Sequence, residues 1–295
     1  PWSGHVVAER YELGRLLGSG STASVYAGEH LWTRRRVAVK VLHAKHAANQ
    51  RTARRWMREA RTLASLEHPN VVSVLDMDVD PSVGGFVVLE RLEGETLAES
   101  LRRVGRLSGD EAVYCLEPIL GALAEAHRCS IVHQELKPEN ILLAQTPSGV
   151  VPKLLDFGIA KVFSPDQHLA AHTPSTGPVG TPAYMAPEQV HGAFPVTAAT
   201  DVWALGVMLY EAIAGHIPCR GRTIQEILAT TATGTHVPID RVPGVDIDPE
   251  LARAIEQALV ADPTERIENA GALRSALLSA ADPLATRSEV RIRTR

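Results

Sequence analysis

Apolar and polar residues alternate in short runs through the first third of the chain. Tyr11–Leu17, Ser24–Glu29, Arg36–Leu42, Val71–Met77 and Phe86–Arg91 are rich in Val and Leu and bounded by Gly, Pro or polar turns. That pattern predicts strands. One helix interrupts them, from about Asn49 to Leu66, with Trp56, Leu63 and Leu66 as apolar positions and Arg51, Arg54, Arg55, Arg58 and Arg61 on a polar face. Pro69 ends it. From Gly94 onward the spacing becomes helical. Leu97–Val104, Ser108–Arg128, Thr200–Ala214, Thr223–Thr230, Pro249–Val260 and Ala270–Ala281 are the predicted helices, and Ser108 with Glu111 is a capping-box signal. Strands followed by helices predict an α+β chain of two segregated lobes, dividing near Glu90 to Gly94.

Between Phe163 and Val179 lies a Pro, Ser, Thr and His-rich stretch with no periodicity. Such a long connection is functional or disordered. Residues 282–295 are polar and end in Arg291, Arg293 and Arg295, which reads as a frayed linker more than as a binding tail.

Composition narrows the class. The 295 residues are 45% hydrophobic and 22% charged, an ordinary globular balance, and the net charge of −4 does not suggest nucleic-acid binding. Cys115, Cys129 and Cys219 stand far apart with no CxxC pair, as in a reduced, cytoplasmic compartment. No apolar run reaches the length of a membrane span; Val202 to Ile217 is broken by Glu211 and His216. The opening Pro1 is expected of a fragment, so the full-length protein could carry a membrane anchor outside this chain. The arginine face is most simply solvated, the alternative being a partner-docking or dimerising surface. His43 and His46 are expected at the surface, and Trp2 and Trp32 are candidates for packing on the first lobe.

Chemistry begins at Gly18-Ser19-Gly20-Ser21-Thr22-Ala23-Ser24-Val25, which joins two predicted strands. Glycine permits φ > 0 and lets backbone N–H groups come close to phosphate oxygens. An ordinary hairpin can also use Gly-Ser-Gly, and no Lys-Ser/Thr follows as a Walker A loop requires. Val37-Ala38-Val39-Lys40 is a strand ending on a lysine, either a snorkelling edge residue or a phosphate-directed ammonium. Glu59 is either a solvated helix carboxylate or the partner of that lysine.

The decisive run is His133-Gln134-Glu135-Leu136-Lys137-Pro138-Glu139-Asn140, followed by Asp156-Phe157-Gly158 and Ala186-Pro187-Glu188. Over residues 10 to 281 the chain resembles a protein kinase of the bacterial, eukaryotic-like serine/threonine class, with the motifs in the family's order. The resemblance implies a bilobal fold, with a β-rich N-lobe at 10–92 and a helical C-lobe at 93–281. Residues 1–9 would then be an N-terminal extension and 282–295 a tail. It implies ATP and Mg²⁺ as cofactors and a protein substrate or signalling partner, with no membrane contact within this chain.

Residue by residue, the resemblance implies that the backbone from Leu17 through Gly18, Ser19, Gly20 and Ser21 covers the phosphates. Lys40, held by Glu59, would contact the α/β-phosphates, and Asn140 and Asp156 would hold Mg²⁺. Lys137 would reach the γ-phosphate. Val25, Ala38 and Leu142 would sandwich the adenine, with Leu89 as gatekeeper and the backbone of Glu90 and Leu92 bonding its edge. Leu63, Val74, His133 and Phe157 would form an apolar spine. Asp201 would cap the catalytic loop, Glu188 would pair with Arg266, and Thr181 would favour Ser/Thr acceptors.

One motif departs from the family. His-Arg-Asp is here His133-Gln134-Glu135. The aspartate orients the substrate hydroxyl and accepts its proton. Glu135 keeps the carboxylate but adds a methylene, a displacement of roughly an ångström, and shifts of that size can cost on the order of 10²-fold. Gln134 removes the arginine that would pair with a phosphorylated activation loop, so modification of Thr173, Ser175 or Thr176 is not expected to act through it. Two functions follow: a Ser/Thr kinase of reduced rate with Glu135 as its base, or a pseudokinase that binds nucleotide and signals as a scaffold.

Overall fold

The alternating strands assemble into a six-stranded antiparallel sheet in the order β1-β2-β3-β4-β6-β5. Its strands are β1 (Val6–Val7), β2 (Tyr11–Ser19), β3 (Ala23–His30), β4 (Arg36–Leu42), β5 (Val74–Asp80) and β6 (Gly84–Glu90). The computed structural model describes residues 2–20, 22–47, 56–57, 60–61, 64, 66–155, 182–192 and 194–280. They fall into two compact units, the first running to Glu93 and the second beginning at Gly94.

In the first unit the strand period of two gives each face its own job. Val37, Val39 and Val41 of β4 join Leu13, Tyr26, Phe86 and Val88 in a buried core. Ala38 and Lys40 stand on the opposite face of the same strand. The two edges of the sheet are tied together by side chains. Asp76, Asp78 and Asp80 alternate along β5; Arg10 pairs with Asp76 at 2.8 Å and with Asp78 at 3.0 Å. The Tyr11 hydroxyl donates to Asp76 at 2.8 Å and the Ala8 N–H to Asp80 at 2.9 Å. These bonds curl the sheet and cover strand edges that would otherwise be templates for association. Burial pushes the Asp80 carboxyl up, but the Ser82 hydroxyl and the N–H groups of Ala8, Ser82 and Val83 outweigh it and hold the group at about 2.

Several sequence expectations move here. The strand expected at Val71–Met77 lies at Val74–Asp80, because its aspartates find cationic and N–H partners that local pattern does not reveal. β1 is stitched to β2 through Val6 opposite Glu12 and Val7 opposite Tyr11, and Trp2 and Ala8 pack on the core. Trp2 therefore packs as anticipated. Trp32, at the turn after β3, is 83% exposed. His43 is half-buried, its Nε2 lying 2.9 Å from the Ser24 hydroxyl, so it is not a simple surface residue. A short helix α1 (Ala44–Ala47) was not anticipated. Of the helix expected at 49–66, the described residues Trp56, Met57, Ala60, Arg61 and Ala64 are helical. Glu59, Leu63 and the arginines at 51, 54, 55 and 58 lie outside the described residues.

The second unit is mainly helical: α2 (Leu97–Val104), α3 (Gly109–Arg128), α4 (Pro187–His191), α5 (Ala198–Ala214), α6 (Ile224–Thr233), α7 (Pro249–Ala258) and α8 (Ala270–Ala280). Ser108 and Glu111 form the expected capping box, and Thr96 with Glu99 forms another at α2. Helix α5 is buried almost all round, as a helix apolar on every face must be. Gly206 permits its approach to the end of α7: an added Cβ would lie 2.9 Å from the Ala258 Cβ. A three-stranded antiparallel sheet, β7 (Gly94–Thr96), β8 (Ile141–Thr146) and β9 (Gly149–Leu154), was not anticipated. Its strands are short, Pro152 sits on the edge strand where no donor is needed, and a brief apolar run such as Ile141–Ala144 does not betray its period. No helix among the described residues is long and apolar enough to cross a membrane. A β-rich first unit and a mainly helical second unit are the architecture the sequence led us to expect.

Candidate active site

In the first unit the expected nucleotide-binding side chains share one face of the sheet. Val25 is opposite Lys40, and Lys40 is opposite Val87. Ala27 is opposite Ala38, and Ala38 is opposite Leu89. Ala38 and Leu89 are buried, whereas Val25 and Lys40 are half-buried. Leu17 lies near the end of β2, Glu90 ends β6, and Leu92 follows it half-buried. The Glu90 N–H donates to the Ser73 carbonyl and its carboxylate accepts the Ser73 N–H at 2.9 Å, which fixes the chain after β6.

The turn joining β2 and β3 is held by cross-strand bonds. Gly18 pairs with Val25 and Ser19 with Ser24, the Gly20 N–H donates to the Ala23 carbonyl, and Ser19, Ser24 and His43 form a chain of 2.9 Å side-chain contacts. Positive φ is not the reason for these glycines, since neither Gly18 nor Gly20 adopts it. A Cβ at Gly18 would meet nothing, and one at Gly20 only the Ala23 carbonyl at 3.8 Å, so no contact among the described residues requires glycine at either position. Ser21 lies outside the described residues.

The second unit holds the loop that carries Glu135. Here side chains, not a strand or helix ladder, bond the backbone. Asp201 on α5 is fully buried and accepts the N–H of His133 and of Gln134, each at 2.8 Å. The Gln134 carbonyl accepts from the Gln189 amide at 3.1 Å. Glu135 donates its N–H to His133 Nδ1 at 3.3 Å, and its carbonyl accepts from Asn140 Nδ2 at 2.9 Å. This clamp holds Gln134 at φ 67°, a left-handed conformation costing a non-glycine residue about 1–2 kcal/mol. Asp201 is itself steadied by His127. The Ala270 N–H donates to His127 Nδ1, so Nε2 carries the proton and donates to Asp201 at 2.9 Å.

After Glu135 the chain makes a 3₁₀ turn at Pro138–Asn140, with Lys137 extended before it. Donation from Asn140 Nδ2 to the Glu135 carbonyl leaves Oδ1 as the amide atom suited to a cation. Leu142 follows on β8, opposite Thr96 and Lys153. The Leu155 N–H donates to the Asn140 carbonyl at 2.8 Å; Asp156, the next residue, lies outside the described residues, as do Phe157, Thr173, Ser175, Thr176 and Thr181.

Behind the loop, Glu188 and Arg266 form a bidentate pair at 2.9 and 3.0 Å with both side chains 0% exposed. The remaining guanidinium donors bond the Val260, Ala199 and Ala261 carbonyls, and the group lies 5.1 Å from the Trp203 ring centroid. Every donor of the fork is used, which is what an ion pair needs to survive burial. Residues that pattern did not single out also meet here. Gln189 and His127 are visible only through their partners. Tyr184 donates to Glu211 at 2.6 Å, and burial pushes both groups up, with that bond lowering the carboxyl again in part.

Comparison with known proteins agrees with this arrangement. The family pattern described as "Protein kinase domain" matches residues 11–278. The chain belongs to the protein kinase domain family. Among its relatives, serine/threonine-protein kinase PrkC of Bacillus subtilis is 33% identical over 283 residues, covering 95% of this chain and 42% of the relative. PknA of Mycobacterium tuberculosis is 38% identical over 286 residues, 94% of this chain and 62% of PknA. Pkn2 of Myxococcus xanthus is 35% identical over 277 residues, 93% and 33% respectively. These are bacterial serine/threonine-protein kinases by name, and the chain spans less than two thirds of each.

Proposed function

We propose that this chain is a serine/threonine protein kinase domain that transfers the γ-phosphoryl group of ATP to protein hydroxyls, at a rate lowered by Glu135. The observation that carries the reading is the side-chain clamp around His133–Glu135, which fixes the backbone beside one carboxylate and engages the Asn140 amide nitrogen, so that its oxygen would be the atom to meet a cation. Asn140 and Asp156 would hold Mg²⁺, which retains waters and takes its other ligands from phosphates. Lys40, aided by Glu59, and Lys137 would hold phosphate oxygens, as would the backbone N–H groups of Leu17–Ser21. Val25, Ala38, Leu89, Leu142 and the backbone of Glu90 and Leu92 would receive the adenine. Bound Mg·ATP supplies the phosphoryl group and offsets its charge. Glu135 then orients the acceptor oxygen and takes its proton, and its extra methylene lowers the rate without abolishing transfer, because this chemistry rests mainly on positioning and charge. The same proposal takes residues 10–281 as the domain, the cytoplasm as its compartment and a protein as its substrate.

Gln134 and Glu135 favour a second reading, a pseudokinase that binds nucleotide and signals as a scaffold. Turnover of a general protein substrate with Mg·ATP separates the two. Under the first reading, Glu135→Asp raises turnover about tenfold or more and Asp156→Ala abolishes a measurable wild-type signal. Tight nucleotide binding with no transfer by the unaltered chain selects the scaffold.

A further inference from the structure

We propose that Gln189 is a positioning residue for phosphotransfer: its side-chain amide ties the peptide preceding Glu135 to the Tyr184–Ala186 segment. The inference rests on the kinase reading and adds to it a coupling that needs no phosphate. The Gln189 oxygen Oε1 accepts the Ala186 N–H at 3.0 Å, and Nε2 donates to the Gln134 carbonyl at 3.1 Å. An amide offers one acceptor and one set of donors, so these two partners fix which way it faces.

The Gln134 carbonyl belongs to the peptide that leads directly into Glu135, and Gln134 is the residue held in the left-handed region. On the loop backbone from the His133 N–H to the Glu135 carbonyl, Asp201, His133 and Asn140 supply four bonds. Gln189 supplies another, from a different segment. Its neighbour Glu188 is anchored independently by Arg266 and Thr200, so α4 keeps its place when Gln189 is changed. A neutral Gln134 side chain cannot report on a phosphorylated loop through a bidentate contact. The Gln189 link joins the loop to the Tyr184–Ala186 backbone constitutively.

Gln189→Glu tests this with little change of shape: it keeps the acceptor for Ala186 and sets a carboxylate oxygen against the Gln134 carbonyl. Gln189→Lys returns a donor to that carbonyl while giving up the acceptor for the Ala186 N–H, so it isolates the bond to the loop. Steady-state phosphotransfer and amide hydrogen exchange are measured on the whole chain. Gln189→Glu is expected to lower kcat about tenfold with the ATP KM within about twofold, and Gln189→Lys to recover kcat to within about threefold. Exchange over residues 133–135 should quicken about tenfold in Gln189→Glu while α5 stays protected. A kcat and loop exchange both within about twofold of the unaltered chain overturn the proposal, as does an equal loss of protection in α5, which marks a general structural role. If the unaltered chain transfers no phosphate, the kinase reading fails on that result. Exchange then judges the link: quickening confined to 133–135 supports it, and none refutes it.

Discussion

Arg266→Met is expected to be among the most destabilising single changes in the second unit, and to cost more than Glu188→Gln. The structure sets the order. Removing one partner of a buried ion pair costs about 3–5 kcal/mol, since the other charge is left in a medium that solvates it poorly. Glu188→Gln stays near the lower end: the amide keeps the shape, Thr200 retains a partner, and the guanidinium still bonds three carbonyls. Arg266→Met strands the Glu188 carboxylate and also takes a donor from the Val260, Ala199 and Ala261 carbonyls. Its loss is on the order of 5 kcal/mol, a large share of a domain's usual 5–15 kcal/mol. Arg266→Lys keeps the charge with three donors instead of five and should fall between wild type and Met. Urea unfolding read by tryptophan fluorescence is the assay, because Trp203 lies under the guanidinium. Both Glu188→Gln and Arg266→Met within about 1 kcal/mol of wild type would refute the reasoning, as would Glu188→Gln costing more than Arg266→Met.

Two further outcomes follow from the second unit. Asp201→Asn replaces an acceptor of three donors by a group half of which is a donor, so phosphotransfer should fall roughly 10- to 100-fold with nucleotide affinity little changed, read by kcat against a nucleotide titration; equal losses in both would contradict it. The two ring nitrogens of His236 lie 2.9 Å from the Gly234 carbonyl and from Glu256, both acceptors, so the protonated ring donates to each; burial opposes its charged form, but those bonds and the Glu256 charge outweigh burial and raise its pKa above the usual histidine value. The resulting stabilisation is complete below the unfolded pKa of about 6.5 and is lost as pH rises through the folded value, so the urea-midpoint gap between wild type and His236→Gln should shrink from pH 6 to alkaline pH; a gap that widens would show the sign to be wrong.

Much of the architecture was readable where the signal is local. Ser108 with Glu111 marked the start of α3, alternation marked β2, β3 and β4, and the break near Glu93 separated strand-rich from helix-rich sequence. Local signal also misled. The aspartates of β5 disfavour a strand by propensity and are accepted because Arg10, Tyr11 and Ala8 meet them across the curled sheet. The strands β7 to β9 were hidden because brief apolar runs fit either period. Gly18 and Gly20 were expected to use a positive φ and to let backbone N–H groups approach phosphate; neither adopts a positive φ.

The order of motifs from Gly18 to Arg266, the glutamate at 135 and the neutral residue at 134 were settled by the amino-acid sequence alone, and with them the kind of chemistry this chain can attempt. Which atoms hold Glu135 in place was settled only by tertiary structure. Caps and alternation depend on neighbours a few residues apart. The loop's backbone is instead bonded by Asp201, 68 and 67 positions from His133 and Gln134, and by Gln189, 55 positions from Gln134. A backbone without a ladder must find its hydrogen-bond partners wherever packing brings them, and no local pattern encodes that meeting.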